Sequence, residues 1–166
     1  MKSVVVYCGS SHGSKSCYAE TAYRLGEVLA QRRIRTIYGG GNMGLMGKVA
    51  DGVLDSGGAV TGIIPNFLAK LEQAQKTVTE LHFVDTMHER KAKMVSLSDG
   101  VVALPGGYGT LDELFEILTW SQLGIYKGPV GLLNVEGYYD HLLAHINKMV
   151  DEGFLKIKDR NRLFVE

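Results

Sequence analysis

The stretch Gly100–Val101–Val102–Ala103–Leu104, followed by Pro105–Gly106–Gly107–Tyr108–Gly109–Thr110, decides the fold. A short apolar run cut by Pro-Gly-Gly reads as a buried strand that ends in a tight turn. Helical spacing resumes at once over Thr110–Gln122, so strand, glycine turn and helix follow each other without a linker. Working outward, the same unit recurs. Ser3–Cys8 reads as a strand, then Gly9–Ser10–Ser11, then a helix over Lys15–Arg33 with apolar residues at 18, 22, 25 and 29. Arg35–Tyr38 reads as a strand, then Gly39–Gly40–Gly41–Asn42, then a helix over Met43–Ser56 stopped by Gly57–Gly58.

Further strands are expected at Ala59–Ile64, Leu81–Val84 and Val130–Leu133, with helices over Thr86–Leu97 and Tyr138–Glu152. The tail Leu155–Glu166 reads as an edge strand or a simple wrap, and the polar stretch Asn66–Lys76 as a loop that could act as a lid. Near-continuous apolar strands alternating with helices predict an α/β fold: a Rossmann-like, doubly wound, mainly parallel sheet with helices on both faces. No repeat or linker divides the 166 residues, so one nucleotide-binding domain over residues 1–166 is expected.

Composition narrows the function. Lys plus Arg equals Asp plus Glu, 18 each, so no excess charge attracts a nucleic acid or an anionic membrane. Two cysteines, Cys8 and Cys17, form neither a disulfide scaffold nor a CxxC pair and read as free thiols. Val4–Cys8 is too short for a signal peptide, and no apolar run reaches transmembrane length, so a soluble cytoplasmic protein is expected. The histidines show no metal-ligand spacing beyond His141-x-x-x-His145, which lacks a third ligand; no metal site is expected.

Glycine is the outlier, 21 residues clustered in three loops, and this topology puts all three on the carboxyl rim of the sheet. Each alone is a tight turn; together they form a rim of backbone N–H groups suited to phosphate. Gly39-x-Gly41-x-x-Gly44 matches the dinucleotide pattern, but the next strand ends Ile63–Ile64–Pro65–Asn66 without the ribose-binding acid, so NAD is not expected. Gly47–Lys48–Val49 fails the triphosphate loop. Thr110-x-x-Glu113 reads as a capping box, or as a first-turn carboxylate kept ionised by the helix dipole beside a bound phosphate. Arg90 and Lys91 read as a solvated helix face, or as rim cations, with Arg90 forking a phosphate or aiding a departing base.

Met87–His88–Glu89–Arg90–Lys91 together with Pro105–Gly106–Gly107–Tyr108–Gly109–Thr110–Leu111–Asp112–Glu113 resembles the LOG (Lonely Guy) family, whose pattern is M-x-x-R-K and PGGxGTxxE. The resemblance covers nearly the whole chain; family members usually continue through a further C-terminal helix. It implies a phosphoribohydrolase that cleaves the N-glycosidic bond of cytokinin riboside 5′-monophosphate or AMP, without a cofactor, built as a homodimer or from dimers. By the same resemblance Glu113 and Arg90 are catalytic, Gly106, Gly107, Gly109 and Thr110 hold the 5′-phosphate, and Ser10, Met87, Arg90 and Lys91 line the nucleotide site. The family's other label, lysine decarboxylase-like, implies a pyridoxal phosphate enzyme, for which no lysine stands in a matching motif. A non-catalytic carrier resembling molybdenum-cofactor carrier proteins is the alternative.

Overall fold

A computed structural model describes all residues, Met1–Glu166. Seven strands form one sheet in the order β4-β3-β2-β1-β5-β6-β7, and every neighbouring pair is parallel. In chain order these are β1 (Ser3–Tyr7), β2 (Arg35–Tyr38), β3 (Val60–Pro65), β4 (Glu80–Val84), β5 (Gly100–Ala103), β6 (Val130–Leu132) and β7 (Leu163–Val165). The helices are α1 (Ser16–Gln31), α2 (Gly44–Asp55), α3 (Met87–Ser96), α4 (Tyr108–Gln122), α5 (Asp140–Asp151) and the short α6 (Ile157–Arg160).

The apolar runs of the strands divide by alternation between two cores. Val4, Val6 and Cys8 join α1 and α2 on one face, while Val5 and Tyr7 join α3, α4 and α5 on the other. Both faces are buried, which is why β1 reads as continuously apolar rather than alternating. The tail supplies the seventh strand at the edge, pairing Leu163 with Val130.

The strand order reverses between β1 and β5, and in open α/β sheets that reversal opens a crevice beyond the strand ends. The turns after β1 and β5 meet there, with Gly9 N–H donating to Pro105 O at 3.0 Å. The loop after β2 reaches the same rim, since Leu45 N–H donates to Gly9 O at 3.0 Å.

The polar stretch 66–76 is a run of turns docked on the loop after β2. Asn42 N–H donates to Glu72 O, Gln75 N–H to Gly40 O, and Gln75 Nε2 to Asn42 Oδ1. That docking carries the side chain of Glu72 to the rim.

Candidate active site

On the rim lies a cleft of about 270 Å³, bordered by the loops after β1 and β5, the start of α4, Arg90 and Met87 of α3, and Glu72. Cys8, Met46 and Leu68 supply apolar wall. Of the residues expected from the sequence, Ser10, Met87, Arg90, Gly107, Gly109, Thr110 and Glu113 line this cleft. Gly106 lines an adjoining hollow on the other side of the turn, which shares Gly9, Ser10 and Gly107 with the first.

The turn after β5 is built for close backbone packing. A Cβ on Gly106 would strike the Thr110 hydroxyl and lie 2.9 Å from Gly9 N, whereas one on Gly107 or Gly109 would meet nothing within 4 Å. Tyr138 braces the turn by donating its hydroxyl to Gly106 O at 2.7 Å, and Tyr139 donates to Leu104 O at 2.7 Å.

The helix begins earlier than the Thr110-x-x-Glu113 spacing suggests. Gly107 is the N-cap in an extended conformation, with no side-chain capping bond, and Tyr108 is the first helical residue. Leu111 N–H makes the first bond, to Gly107 O, so the N–H groups ahead of it stay open at the cleft. The capping-box reading is thereby corrected, and Glu113 falls in the second turn, beyond the strongest reach of the helix dipole. The expectation of a dipole-stabilised anion changes with it. The Glu113 carboxyl is raised to about 7, chiefly by burial and with the help of Asp112 and Glu72, against the pull of Arg90 and Lys91.

A side-chain cap starts α3 instead, with Glu89 reaching back one residue beyond the capping residue Thr86. Thr86 Oγ1 accepts from Glu89 N–H at 3.1 Å, and Glu89 Oε2 accepts from Asp85 N–H at 3.0 Å. One residue further on, Arg90 is buried rather than solvated, only 5% exposed. Its Nε donates to Ile63 O at 3.0 Å and its Nη2 to Gly39 O at 2.7 Å, with Glu72 Oε2 at 3.3 Å. A side chain on Gly39 would overlap the guanidinium, so glycine at 39 is what admits it. Nη1 meets only the Met87 sulfur at 3.9 Å. Nε and Nη2 are thus both engaged by the protein, and Nη1 is the nitrogen left for a ligand.

These features have relatives. A sequence family described as "Possible lysine decarboxylase" matches residues 46–166. The cytokinin riboside 5′-monophosphate phosphoribohydrolase LOG5 of Arabidopsis thaliana is 52% identical over 160 residues, covering 96% of this chain and 70% of LOG5. LOG7 of the same plant, given the same activity, is 53% identical over 154 residues, covering 93% of this chain and 71% of LOG7.

The chain belongs to the LOG family. The molybdenum cofactor binding protein of Rippkaea orientalis superposes with a TM-score of 0.73 at 23% identity, covering 99% of this chain and 89% of that one. At that identity the likeness is one of fold alone, and it gives the carrier alternative no support.

Lys91, the second member of the LOG R-K pair, is not among the residues lining the cleft. It is 7% exposed, and its ammonium sits 3.0 Å from Asp112 Oδ2 and 3.1 Å from Glu116 Oε1 on α4. Neither the solvated-face reading nor a place in the cleft wall describes it. Glu72 is a lone acid in a polar loop and carries no periodic or spacing signal in the sequence. Burial also raises the Glu72 carboxyl, against the pull of Arg90.

Proposed function

We propose that this LOG-family chain hydrolyses the N-glycosidic bond of a nucleoside 5′-monophosphate, with cytokinin riboside 5′-monophosphate and AMP as substrates. The carrying observation is the shared cleft: open N–H groups at the start of α4, the half-buried Glu113 one turn on, and Arg90 across the same space. The 5′-phosphate docks on the N–H groups of Gly107–Thr110, with Gly106 shaping the turn and Ser10 closing the near side. The ribose then lies toward Glu113, and the base toward Met46, Leu68 and Met87.

Glu113 is catalytic as the anion. It stabilises the oxocarbenium-like sugar and takes a proton from the attacking water as the new C1′–O bond forms. The C1′–N bond breaks with its electron pair going to the base, which takes up the proton that Glu113 accepted from the water, so the carboxylate is regenerated and the products are free base and ribose 5-phosphate. Arg90 is the second catalytic residue, offering Nη1 to the departing base or to the phosphate, while Glu72, Gly39 and Ile63 hold it in place.

The decarboxylase chemistry in the family description does not fit these residues. A Schiff-base lysine must be able to lose its proton. Burial alone pushes the Lys91 ammonium down, but its bonds to Asp112 and Glu116 outweigh that and the net shift is upward. No lysine borders the cleft.

The chain is read as a cytoplasmic homodimer or dimer-based assembly. Two free cysteines, no helix long and apolar enough to cross a membrane, and an apolar edge of α4 with Tyr108 95% exposed support that reading. Light scattering on a sizing column reads the assembly state. The activity is tested by incubating the protein with AMP and with N6-isopentenyl-AMP and separating the products by chromatography. Release of adenine or isopentenyladenine is expected; folded protein that releases neither refutes the proposal.

A further inference from the structure

We propose that Lys91 is a positioning residue: clasped between Asp112 and Glu116, it ties α3 to α4 and so holds Arg90 and Glu113 to one cleft. The inference rests on the phosphoribohydrolase reading above. Arg90 and Lys91 are adjacent on α3, and Asp112, Glu113 and Glu116 lie within about one turn of α4. No side-chain bond runs from Arg90 to α4, because its donors go to Ile63, Gly39 and Glu72 on the sheet side. The Lys91 clasp is therefore the charged connection between the helix carrying Arg90 and the helix carrying Glu113.

Its burial makes the clasp selective. The Lys91 side chain is 9% exposed, and a cation so placed must keep its partners. Asp112 is 62% exposed and Glu116 28%, so the acids reach inward to a fixed ammonium rather than the reverse.

The same ammonium offsets negative charge around Glu113. The groups bearing on that carboxyl are Asp112 of α4, Arg90 and Lys91 of α3, and Glu72 of the 66–76 segment. The neutral Tyr7 and Cys8 of the β1 end feel its charge in turn. Removing Lys91 leaves Asp112 and Glu116 uncompensated beside Glu113. Removing the two acids leaves Lys91 uncompensated instead.

The test compares the wild type with Lys91→Met, Lys91→Arg and the double variant Asp112→Asn/Glu116→Gln. Base release from AMP is followed from pH 5 to pH 9, and each protein is melted. Lys91→Met should lower kcat at least tenfold with KM within about twofold, and move the acid limb of the rate profile to higher pH. Lys91→Arg, which still bridges two carboxylates, should recover most of kcat. The double variant should also lose kcat but move the limb to lower pH. Titration of Glu113 by 13C NMR in the same proteins reads those opposite shifts without turnover, so an inactive wild type would sink the hydrolase reading and leave this one tested.

A Lys91→Met protein with wild-type kcat and limb and only a lower Tm makes Lys91 a plain helix clamp and overturns the proposal. So does a rise in KM alone that arginine does not rescue, which would mean direct contact with the ligand. Should Lys91→Met not fold, Lys91→Arg and the double variant decide: unmoved limbs in both refute it.

Discussion

Replacing Glu113 with glutamine should give a protein that is inactive and more stable, the gain growing from pH 4.5 upward and reaching its full size above about pH 7. The carboxyl has an ordinary value of 4.5 and is held at about 7, chiefly by burial. The unfolded chain therefore gives up this proton first. As pH rises from 4.5 to 7 the folded state binds more protons than the unfolded one, and stability falls; above that window the loss is constant. Each tenfold in the proton equilibrium is worth about 1.4 kcal/mol, so keeping Glu113 ionised at pH 8 costs the fold on the order of 3 kcal/mol. The attraction of Arg90 is already included in that net value.

Glutamine has the same shape and never ionises, so Glu113→Gln should recover most of that cost at pH 8 and less than about 1 kcal/mol at pH 5. For a domain of this size the gain at pH 8 corresponds to a Tm about 5–10 °C above wild type. Melts at pH 5 and pH 8, run beside the base-release assay, measure both effects. A variant no more stable than wild type at pH 8, or one stabilised equally at both pH values, refutes the argument that burial sets this carboxyl. Retained turnover refutes its role as the reacting anion.

In the wild type, base release should climb with pH and level off above about 7, because the anion is the working form; an optimum below pH 6 would contradict that assignment. Arg90→Ala would leave Ile63 O, Gly39 O and Glu72 without their donor, and breaking such a buried pair should cost about 3–5 kcal/mol and roughly 10 °C in Tm. Gly106→Ala should unfold or misplace the turn, given the contact with Thr110. Gly107→Ala and Gly109→Ala should keep stability within about 0.5 kcal/mol while weakening AMP binding, as calorimetry can read. Glu72→Gln should spare most of the stability but raise KM or lower kcat, since the carboxylate that helps hold Arg90 Nη2, and so the guanidinium plane, is gone.

The architecture was legible in the sequence because a buried parallel strand leaves a strong signature. Ser3–Tyr7 and Gly100–Ala103 are short, mainly apolar runs, Arg35–Tyr38 is a short strand with only its first residue part-exposed, and each leads within three residues into glycine, as strands buried on both faces do. The glycine loops were legible for the same reason, since their place at strand ends follows from the topology. Less legible was which charged residues go inside. Arg90 and Lys91 sit in a stretch whose composition is that of a solvent face, Met87–His88–Glu89–Arg90–Lys91, yet both are buried. What buries them is non-local: carbonyls at Gly39 and Ile63, and acids at 72, 112 and 116. No local pattern encodes partners 18 to 51 residues away.

The displacement of Glu113 by one turn has a chemical consequence. Had Thr110 capped the helix, Glu113 would sit at the third helical position, its charge held by the open N–H groups and those groups partly consumed by the carboxylate. With Gly107 as the cap, the two functions separate. The N–H groups ahead of Leu111 stay free of any side-chain cap, and the acid stands a turn further on, buried near Cys8 and Tyr7 among Arg90, Lys91, Asp112 and Glu72. A carboxylate with a value near 7 is a far stronger proton acceptor than an ordinary one, while half of it is still ionised at neutral pH. Glycine at 107 thus does two things: it leaves the first N–H groups of α4 uncapped, and it starts the helix early enough to place Glu113 in the second turn. A single substitution that adds a capping side chain at 107 tests this coupling. Gly107→Ser should add a competing cap, lower AMP affinity and leave the Glu113 carboxyl near 7; if the Glu113 titration drops toward 4.5 instead, the helix start, and not burial, governs the acid.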